Sequence, residues 1–339
     1  MKRILLTGIG GSIGVHTFTH IMANTDWDVV GIDSFRHKGL CDRTAKVLDD
    51  NPEWESRLTM VTHDLKAPVS DLTRGVIGHI DCIISMASLS DVEESIHNPV
   101  EFVSNNVAIV LNTLEFARAI NPSMFIQFST DEVYGAADPD SAHKEWSTIL
   151  PSNPYSASKA SQEAIAIAYW RTYGVPIVIT NVGNNFGQMQ QSRKFPVIIQ
   201  KKVSSGETLS VHGKTGNIGS RFYIHSRNTS DALLWIIRNT VPAPHQPGEI
   251  DRPDRYNIGG ETVLTNLELA EKIADLMGMP LKYQLADHGP TRPGYDNHYR
   301  LDGGKIQDLG WKAPVSFDDS LRATIKWQQE NPDWIRDDE

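Results

Sequence analysis

Tyr155 and Lys159 stand four residues apart, so on a helix both side chains lie on one face. An ammonium beside a phenol favours the phenolate, and a phenol made acidic in this way takes a hydroxyl proton as hydride leaves the same carbon. Asp131 and Glu132 are adjacent carboxylates within Phe128-Ser129-Thr130-Asp131-Glu132-Val133-Tyr134-Gly135. In a partly dry pocket such neighbours repel until one keeps a proton and the other stays ionised, an acid and a base side by side; in water the same pair is a solvated turn.

A third constellation opens the chain. Thr7-Gly8-Ile9-Gly10-Gly11-Ser12-Ile13-Gly14 follows an apolar run and begins a helix, the setting in which a glycine pattern binds a dinucleotide. Gly8 permits the turn, Gly11 clears space for a pyrophosphate, Gly14 lets helix pack on strand, and the amides around Ser12 and Ile13 face the anion. Asp33 follows Gly14 by 19 residues, placed to accept both hydroxyls of an adenine ribose, which favours NAD. Arg36 and Lys38, close by in sequence, leave NADP open. Asp64 either receives the adenine amino group or caps a turn.

The elements that must position these groups follow from periodicity. Ile4 to Thr7, Val29 to Asp33, Leu58 to Thr62, Cys82 to Met86, Phe125 to Ser129 and Ile177 to Val182 are short, nearly continuous apolar runs alternating with helical patterns. That is the signature of an α/β fold, a Rossmann-type doubly wound parallel sheet whose ligands lie at the carboxyl ends of its strands. Asn98-Pro99 and Asn153-Pro154 each open a long helix with a cap and a first-turn proline. Beyond about Gly183 the pattern loosens, with helical runs near Val197 to Ser204, Asp231 to Arg238, Leu267 to Met277 and Ser320 to Gln329. The expected division is an NAD-binding domain over 1–182, completed by about 222–245, and a smaller substrate-binding lobe from 183–221 and 246–339.

Composition narrows the partners. The chain carries 32 Lys+Arg against 42 Asp+Glu, a net charge of -10, which opposes broad attraction to nucleic acid or acidic lipid. The short basic runs Arg36-His37-Lys38 and Lys201-Lys202 read as solvated surface. No stretch approaches membrane-spanning length, and Ile4-Leu5-Leu6 is too short for a signal-peptide core. Two cysteines, Cys41 and Cys82, imply neither a disulfide framework nor a cysteine zinc site and suit a reducing, cytoplasmic setting. The 12 histidines lack metal-ligand spacing, so no metal is expected.

The three motifs in this order resemble the extended short-chain dehydrogenases/reductases, the NAD-dependent epimerase/dehydratase family. The Asp131-Glu132 pair resembles the dTDP-glucose 4,6-dehydratase branch in particular. Pro154 to Lys159, Asn184-Asn185-Phe186-Gly187, Tyr256 to Gly260, Arg292-Pro293-Gly294 and Leu309-Gly310-Trp311 fall where that branch has similar segments. The resemblance implies oxidation of carbon 4 of a nucleoside-diphosphate hexose by NAD with Tyr155, elimination of water across carbons 5 and 6, and return of the hydride. Glu132 would take the proton on carbon 5, Asp131 would protonate the departing hydroxyl, and Thr130 would hydrogen-bond the sugar. Leu65, Met86, Ala87 and Ser129 would border the cofactor. Ser88, Ser90, Asn184, Asn185, Arg221, Asn257, Arg292 and Tyr295 would contact the substrate, the two arginines clasping the diphosphate. The two long helices would pair with their copies as a four-helix bundle in a homodimer.

The chain also departs from that branch. Leu89, Asp91 and Glu94 replace a carboxylate, an imidazole and a guanidinium; Asn181 stands where Arg is common, Gln188 where Pro is, and Tyr295 where His is. These positions surround the substrate, so the base and sugar stay open. An epimerase, a decarboxylase or a 5,6-dehydratase of the same fold are the alternatives, with a non-catalytic NAD-binding regulatory protein further off.

Overall fold

The computed structural model describes residues 2–37, 39–138, 141–214, 217–286, 294 and 296–334. Its first half alternates strand and helix as β1 (Arg3–Thr7), α1 (Ser12–Asn24), β2 (Asp28–Asp33), α2 (Leu40–Asp50), β3 (Leu58–Thr62), α3 (Asp71–Ile77), β4 (Cys82–Ser85), α4 (Val92–His97), α5 (Pro99–Ile120), β5 (Met124–Thr130), α6 (Pro154–Tyr173) and β6 (Ile177–Val182). The second half runs β7 (Asn184–Phe186), α7 (Phe195–Ser205), β8 (Leu209–Lys214), β9 (Asn217–Ile218), β10 (Ser220–His225), α8 (Ser226–Asn239), β11 (Asp254–Ile258), β12 (Val263–Thr265), α9 (Asn266–Met277), β13 (Tyr283–Ala286), α10 (Gly304–Asp308) and α11 (Phe317–Glu330).

Seven strands form one parallel sheet in the order β11-β6-β5-β4-β1-β2-β3. Because strand side chains alternate faces, each strand feeds two cores. Ile4, Leu6, Ile84, Ile126 and Phe128 meet α1 and α8 on one side through Phe18, Leu233 and Ile236. Leu5, Ile83, Phe125 and Ile179 meet α5 and α6 on the other through Val110, Leu114 and Trp170. Covering on both faces is what makes the strands read as unbroken apolar runs. The order reverses between β1 and β4, and the ligand crevice of a doubly wound sheet opens at such a switch point.

All six expected strands lie within a residue of their bounds. The fourth stops at Ser85, because the amides of Met86 and Ala87 both turn to donate to the Thr7 hydroxyl at 3.0 Å. The seventh, β11, falls in the stretch expected to belong to the lobe. Its Arg255 and Asn257 disguise a buried strand, since Arg255 pairs with Glu163 and Asn257 donates to His143 O, both far away in sequence. Conversely β10, inside the span expected to complete the sheet, pairs with β7 and β12 in a separate three-stranded sheet, while α8 packs back on α1. The lobe has its own core, with Phe186, Ile199, Tyr223, Leu269, Phe317 and Leu321 among its members. The short strands β7 to β9, β12 and β13 were not legible as periodic runs.

Candidate active site

The turn after β1 is built for a phosphate. Gly8 has φ 74, and a Cβ there would meet the Ala87 backbone at 3.0 Å. A Cβ on Gly14 would stand 2.1 Å from the Gly8 carbonyl oxygen, so only glycine lets α1 seat against the turn. Gly11 is the N-cap of α1 and gives no side-chain cap, which leaves the first-turn amides facing the cleft. Asp33, 8% exposed at the end of β2, accepts from Gly10 N and Phe35 N, both at 3.0 Å, and so ties the second strand to the glycine turn.

One cleft collects Gly8, Gly11, Ser12, Ile13, Gly14 and Asp33 with Asp64, Leu65, Met86, Ala87, Ser129, Tyr155 and Lys159, which are the residues expected to hold the cofactor; Ser88 and Ser90 also line it. The bare helix terminus, the glycine cradle and a ribose-height carboxylate fit a dinucleotide. The Ser129 hydroxyl is buried without a hydrogen-bond partner, a donor left for a ligand. Asp64 serves its turn by accepting from Lys66 N at 3.0 Å, and its other oxygen faces Arg36 at 3.5 Å. Lys38 lies outside the described residues.

Tyr155 and Lys159 reach the cleft from the first turns of α6. Asn153 caps that helix: its side chain accepts from Ser156 N at 2.9 Å, and Ser156 Oγ accepts from Asn153 N at 3.1 Å. Tyr155 packs edge-on against Phe102 at 6.2 Å between ring centres, with its amide on Ser95 Oγ at 3.2 Å. Lys159 Nζ donates to the Phe128 carbonyl and to Gln162 Oε1, each at 2.7 Å. Burial lowers Lys159 to about 8, opposed by the nearby Glu163 carboxylate. The expected acidification of Tyr155 is not seen in this geometry. Burial first, then Glu132 and Asp131, raise the phenol, and the neighbouring Thr130 hydroxyl pulls it down. The lysine donors shown are spent on Phe128 and Gln162.

The carboxylate pair stands where β5 ends in a short 3-10 turn, Asp131–Tyr134, capped by Thr130 Oγ1 accepting from Glu132 N. Asp131 is 3% exposed; burial and then Glu132 push it up to about 7, against one hydrogen bond from Thr130 Oγ1 at 3.0 Å. Its Oδ2 has no partner. Burial also raises Glu132, but Arg221, Asn153 and Lys194 hold it down, with Asn153 Nδ2 and Tyr299 OH at 3.5 and 3.4 Å from Oε2. Burial thus raises both carboxyls, and the Asn153 amide and Lys194 ammonium oppose the rise at Glu132.

The expected substrate contacts scatter. Asn184 Oδ1 is buried without a partner, so it has capacity for a ligand. Asn185 spends its side chain internally, donating to Gly183 O and accepting from Thr229 Oγ1. Arg221 gives Nη1 to Ser220 O and Asn297 O and Nη2 to Asp296 O, and stacks on Tyr299 with 4.4 Å to the ring centre. It braces the segment opposite Glu132 rather than presenting an empty fork. Asn257 is fully buried, donating to His143 O at 2.9 Å and accepting from Tyr134 OH at 3.2 Å, a wall residue of β11 and not an open donor. Arg292 and Tyr295 lie outside the described residues. Gln188 is held between His16 and His225, whose Nε2 atoms each lie 3.1 Å from it; burial takes His16 down to about 4.

Residues passed over in the sequence complete the site. Asn153 was read only as a cap. Lys194, at the head of α7, donates to Ser90 O at 3.3 Å and acts on Glu132. Tyr299 links Glu132 to Asp296, donating to Asp296 Oδ2 at 2.9 Å. A lone lysine or tyrosine in a loop carries no spacing signal. Among the described residues no His/Cys/Asp/Glu group is placed to hold a metal, and no helix is long and apolar enough to cross a membrane.

Comparison with known proteins agrees with this layout. The chain is 31% identical over 355 residues to a dTDP-glucose 4,6-dehydratase of Neisseria meningitidis serogroup B, covering 98% of this chain and 95% of the relative. It is 33% identical over 325 residues to the low-salt glycan biosynthesis protein Agl12 of Haloferax volcanii, covering 96% and 97%. The crystal structure of the dTDP-glucose 4,6-dehydratase DesIV from Streptomyces venezuelae, bound to NAD, superposes with a TM-score of 0.84 at 30% identity, over 98% of each chain. With the GDP-mannose 4,6 dehydratase family matched over residues 5–324, the chain belongs to that family.

Proposed function

We propose that the chain is an NAD-dependent nucleotide-sugar 4,6-dehydratase, a lyase. The observation that carries this reading is the buried carboxyl pair at the end of β5: burial raises both, Asp131 to about 7, while Asn153 and Lys194 oppose the rise at Glu132. A redox step alone needs only Tyr155; an elimination needs an acid and a base together. NAD held along the glycine turn and Asp33 would supply the acceptor for a hydride from carbon 4 of the sugar and the donor that returns it to carbon 6. Tyr155, beside Thr130, takes the carbon-4 hydroxyl proton, Glu132 takes the proton from carbon 5, and Asp131 supplies the proton that leaves with the carbon-6 hydroxyl. The solved relative's NAD, and the fit of the glycine cradle to a dinucleotide, support the cofactor.

The lobe over the cleft is the substrate side, with Asn184 and the loop of Ser88 and Ser90 as its contacts. The outer faces of α5 and α6 carry Val100 at 79%, Leu111 at 37% and Tyr173 at 48% exposure beside small Ala164 and Ala168, which supports a homodimer through a four-helix bundle. Two free thiols, Cys41 and Cys82, fit a reducing cytoplasm.

Incubation with dTDP-glucose, UDP-glucose and GDP-mannose in deuterated water tests the chemistry. A 4-keto-6-deoxy product with solvent deuterium at carbon 5 is expected from one of them; an inverted or decarboxylated sugar, or an unlabelled product, overturns the dehydratase reading.

A further inference from the structure

Behind the cleft, on the sheet face under α6, a charged pair is sealed from solvent. Glu163 Oε2 and Arg255 Nη2 stand 2.8 Å apart with both side chains 0% exposed. Glu163 lies one turn past Lys159 on α6, while Arg255 comes from the outer strand β11, where it registers opposite Ile179 of β6. Two residues on, Asn257 registers opposite Asn181, so Arg255 and Asn181 share the face toward α6.

The pair reaches the reacting groups by two routes. Asn181 Nδ2 donates to Glu163 Oε1 at 2.7 Å and to the Thr130 carbonyl at 3.1 Å, at the start of the carboxylate-bearing turn. Arg255 Nη1 donates to Tyr134 OH at 3.3 Å, at the end of the same turn, and its guanidinium lies 4.3 Å from the centre of the Trp146 ring. A buried ion pair is a weak source of stability, since well-packed apolar residues serve as well or better. Its placement around residues 130–134 therefore asks for another role.

We propose that the Glu163–Arg255 pair positions the reaction: it anchors both ends of the turn that bears Asp131 and Glu132, and it sets a negative charge one helical turn from the Lys159 ammonium. The kinetic part of this inference rests on the dehydratase reading above.

The test compares wild type with Glu163→Gln/Arg255→Met, which removes both charges without stranding either. We expect it to fold and bind NAD as wild type does, while kcat falls about tenfold or more and the isotope effect from a 4-deuterated sugar rises. Asn181→Arg/Arg255→Val, which moves the guanidinium to the neighbouring strand, should recover kcat. Wild-type kcat and isotope effect in the neutral variant would overturn the proposal; so would a kcat loss that only tracks lower melting and weaker NAD binding. A third readout needs no turnover: the Lys159 side-chain signal of 15N-lysine protein, assigned with Lys159→Met. Glu163 is the charged group acting on Lys159, whose other partners, Phe128 O from β5 and Gln162 from α6, are neutral; Tyr155, Asp131 and Glu132 titrate nearby. Its midpoint should drop by about one unit in the neutral variant, and an unmoved midpoint counts against the proposal. If wild type turns over no sugar nucleotide, the dehydratase reading fails and this midpoint alone decides the positioning inference.

Discussion

Lys159 Nζ and the Phe128 carbonyl oxygen are 2.7 Å apart, a hydrogen bond that fastens the start of α6 to the end of β5. The lysine thereby aligns the helix bearing Tyr155 with the strand bearing Thr130, Asp131 and Glu132. Tyr155 is raised by burial and by the two carboxyls, so the positive charge of an oxidised nicotinamide, when bound, would favour its phenolate. In the free protein the phenol stays protonated.

Tyr155→Phe should abolish hydride transfer while leaving the cleft intact. A loss of about 10²–10⁴-fold in single-turnover nicotinamide reduction is expected, with NAD affinity little changed in a fluorescence titration. Full activity in that variant would remove Tyr155 from the chemistry.

The two carboxyls should fail differently when neutralised. Glu132→Gln blocks proton removal at carbon 5, so reduced nicotinamide and ketone accumulate without deuterium entering from solvent. Asp131→Asn retains carbon-5 exchange but slows loss of the hydroxyl. Rapid-quench mass spectrometry separates these outcomes. With Asp131 as the proposed acid, pushed up to about 7 by burial and by Glu132, the elimination rate of wild type should fall as pH rises through that value.

Asp131 also makes a pH-dependent contribution to stability. Its folded pKa, about 7, lies above the unfolded value of about 3.9. Its stabilisation is therefore complete below the unfolded pKa and is lost as pH rises through about 7. Asp131→Asn, which cannot ionise, should gain melting temperature relative to wild type between about pH 5 and about pH 8. Calorimetry at the two pH values shows the sign.

Gly14→Ala places a Cβ 2.1 Å from the Gly8 carbonyl oxygen and must push α1 off the turn. We expect about 1–3 kcal/mol of destabilisation and loss of NAD binding. Gly11→Ala, whose Cβ would stand 3.1 Å from the same oxygen, should keep the fold and weaken NAD alone. Parallel thermal melts and NAD titrations distinguish the two.

Much of the site was legible because its signals are local. The glycine turn, the capped start of α6, the Tyr155 to Lys159 spacing and the Asp131-Glu132 pair are each defined by residues a few positions apart, whose relative geometry a turn or a helix dictates. The apolar runs of six strands were equally plain, since burial on both faces leaves little choice of residue. What eluded the sequence depends on partners brought together by the sheet. Asn257 had the look of a substrate ligand, yet β11 buries it against His143 and Tyr134. Arg221 seemed a free clasp, yet three backbone carbonyls take its donors. Lys194 and Tyr299 gave no hint of their approach to Glu132.

The amino-acid order alone determined which groups this protein brings to a cleft, because short-range backbone geometry ties each motif to its element. Only the tertiary structure decided how far burial raises each carboxyl and where each polar side chain spends its hydrogen bonds. Those outcomes turn on desolvation and on contacts between residues such as Glu163 and Arg255, distant in the chain, whose energies exist only once the sheet has closed over them.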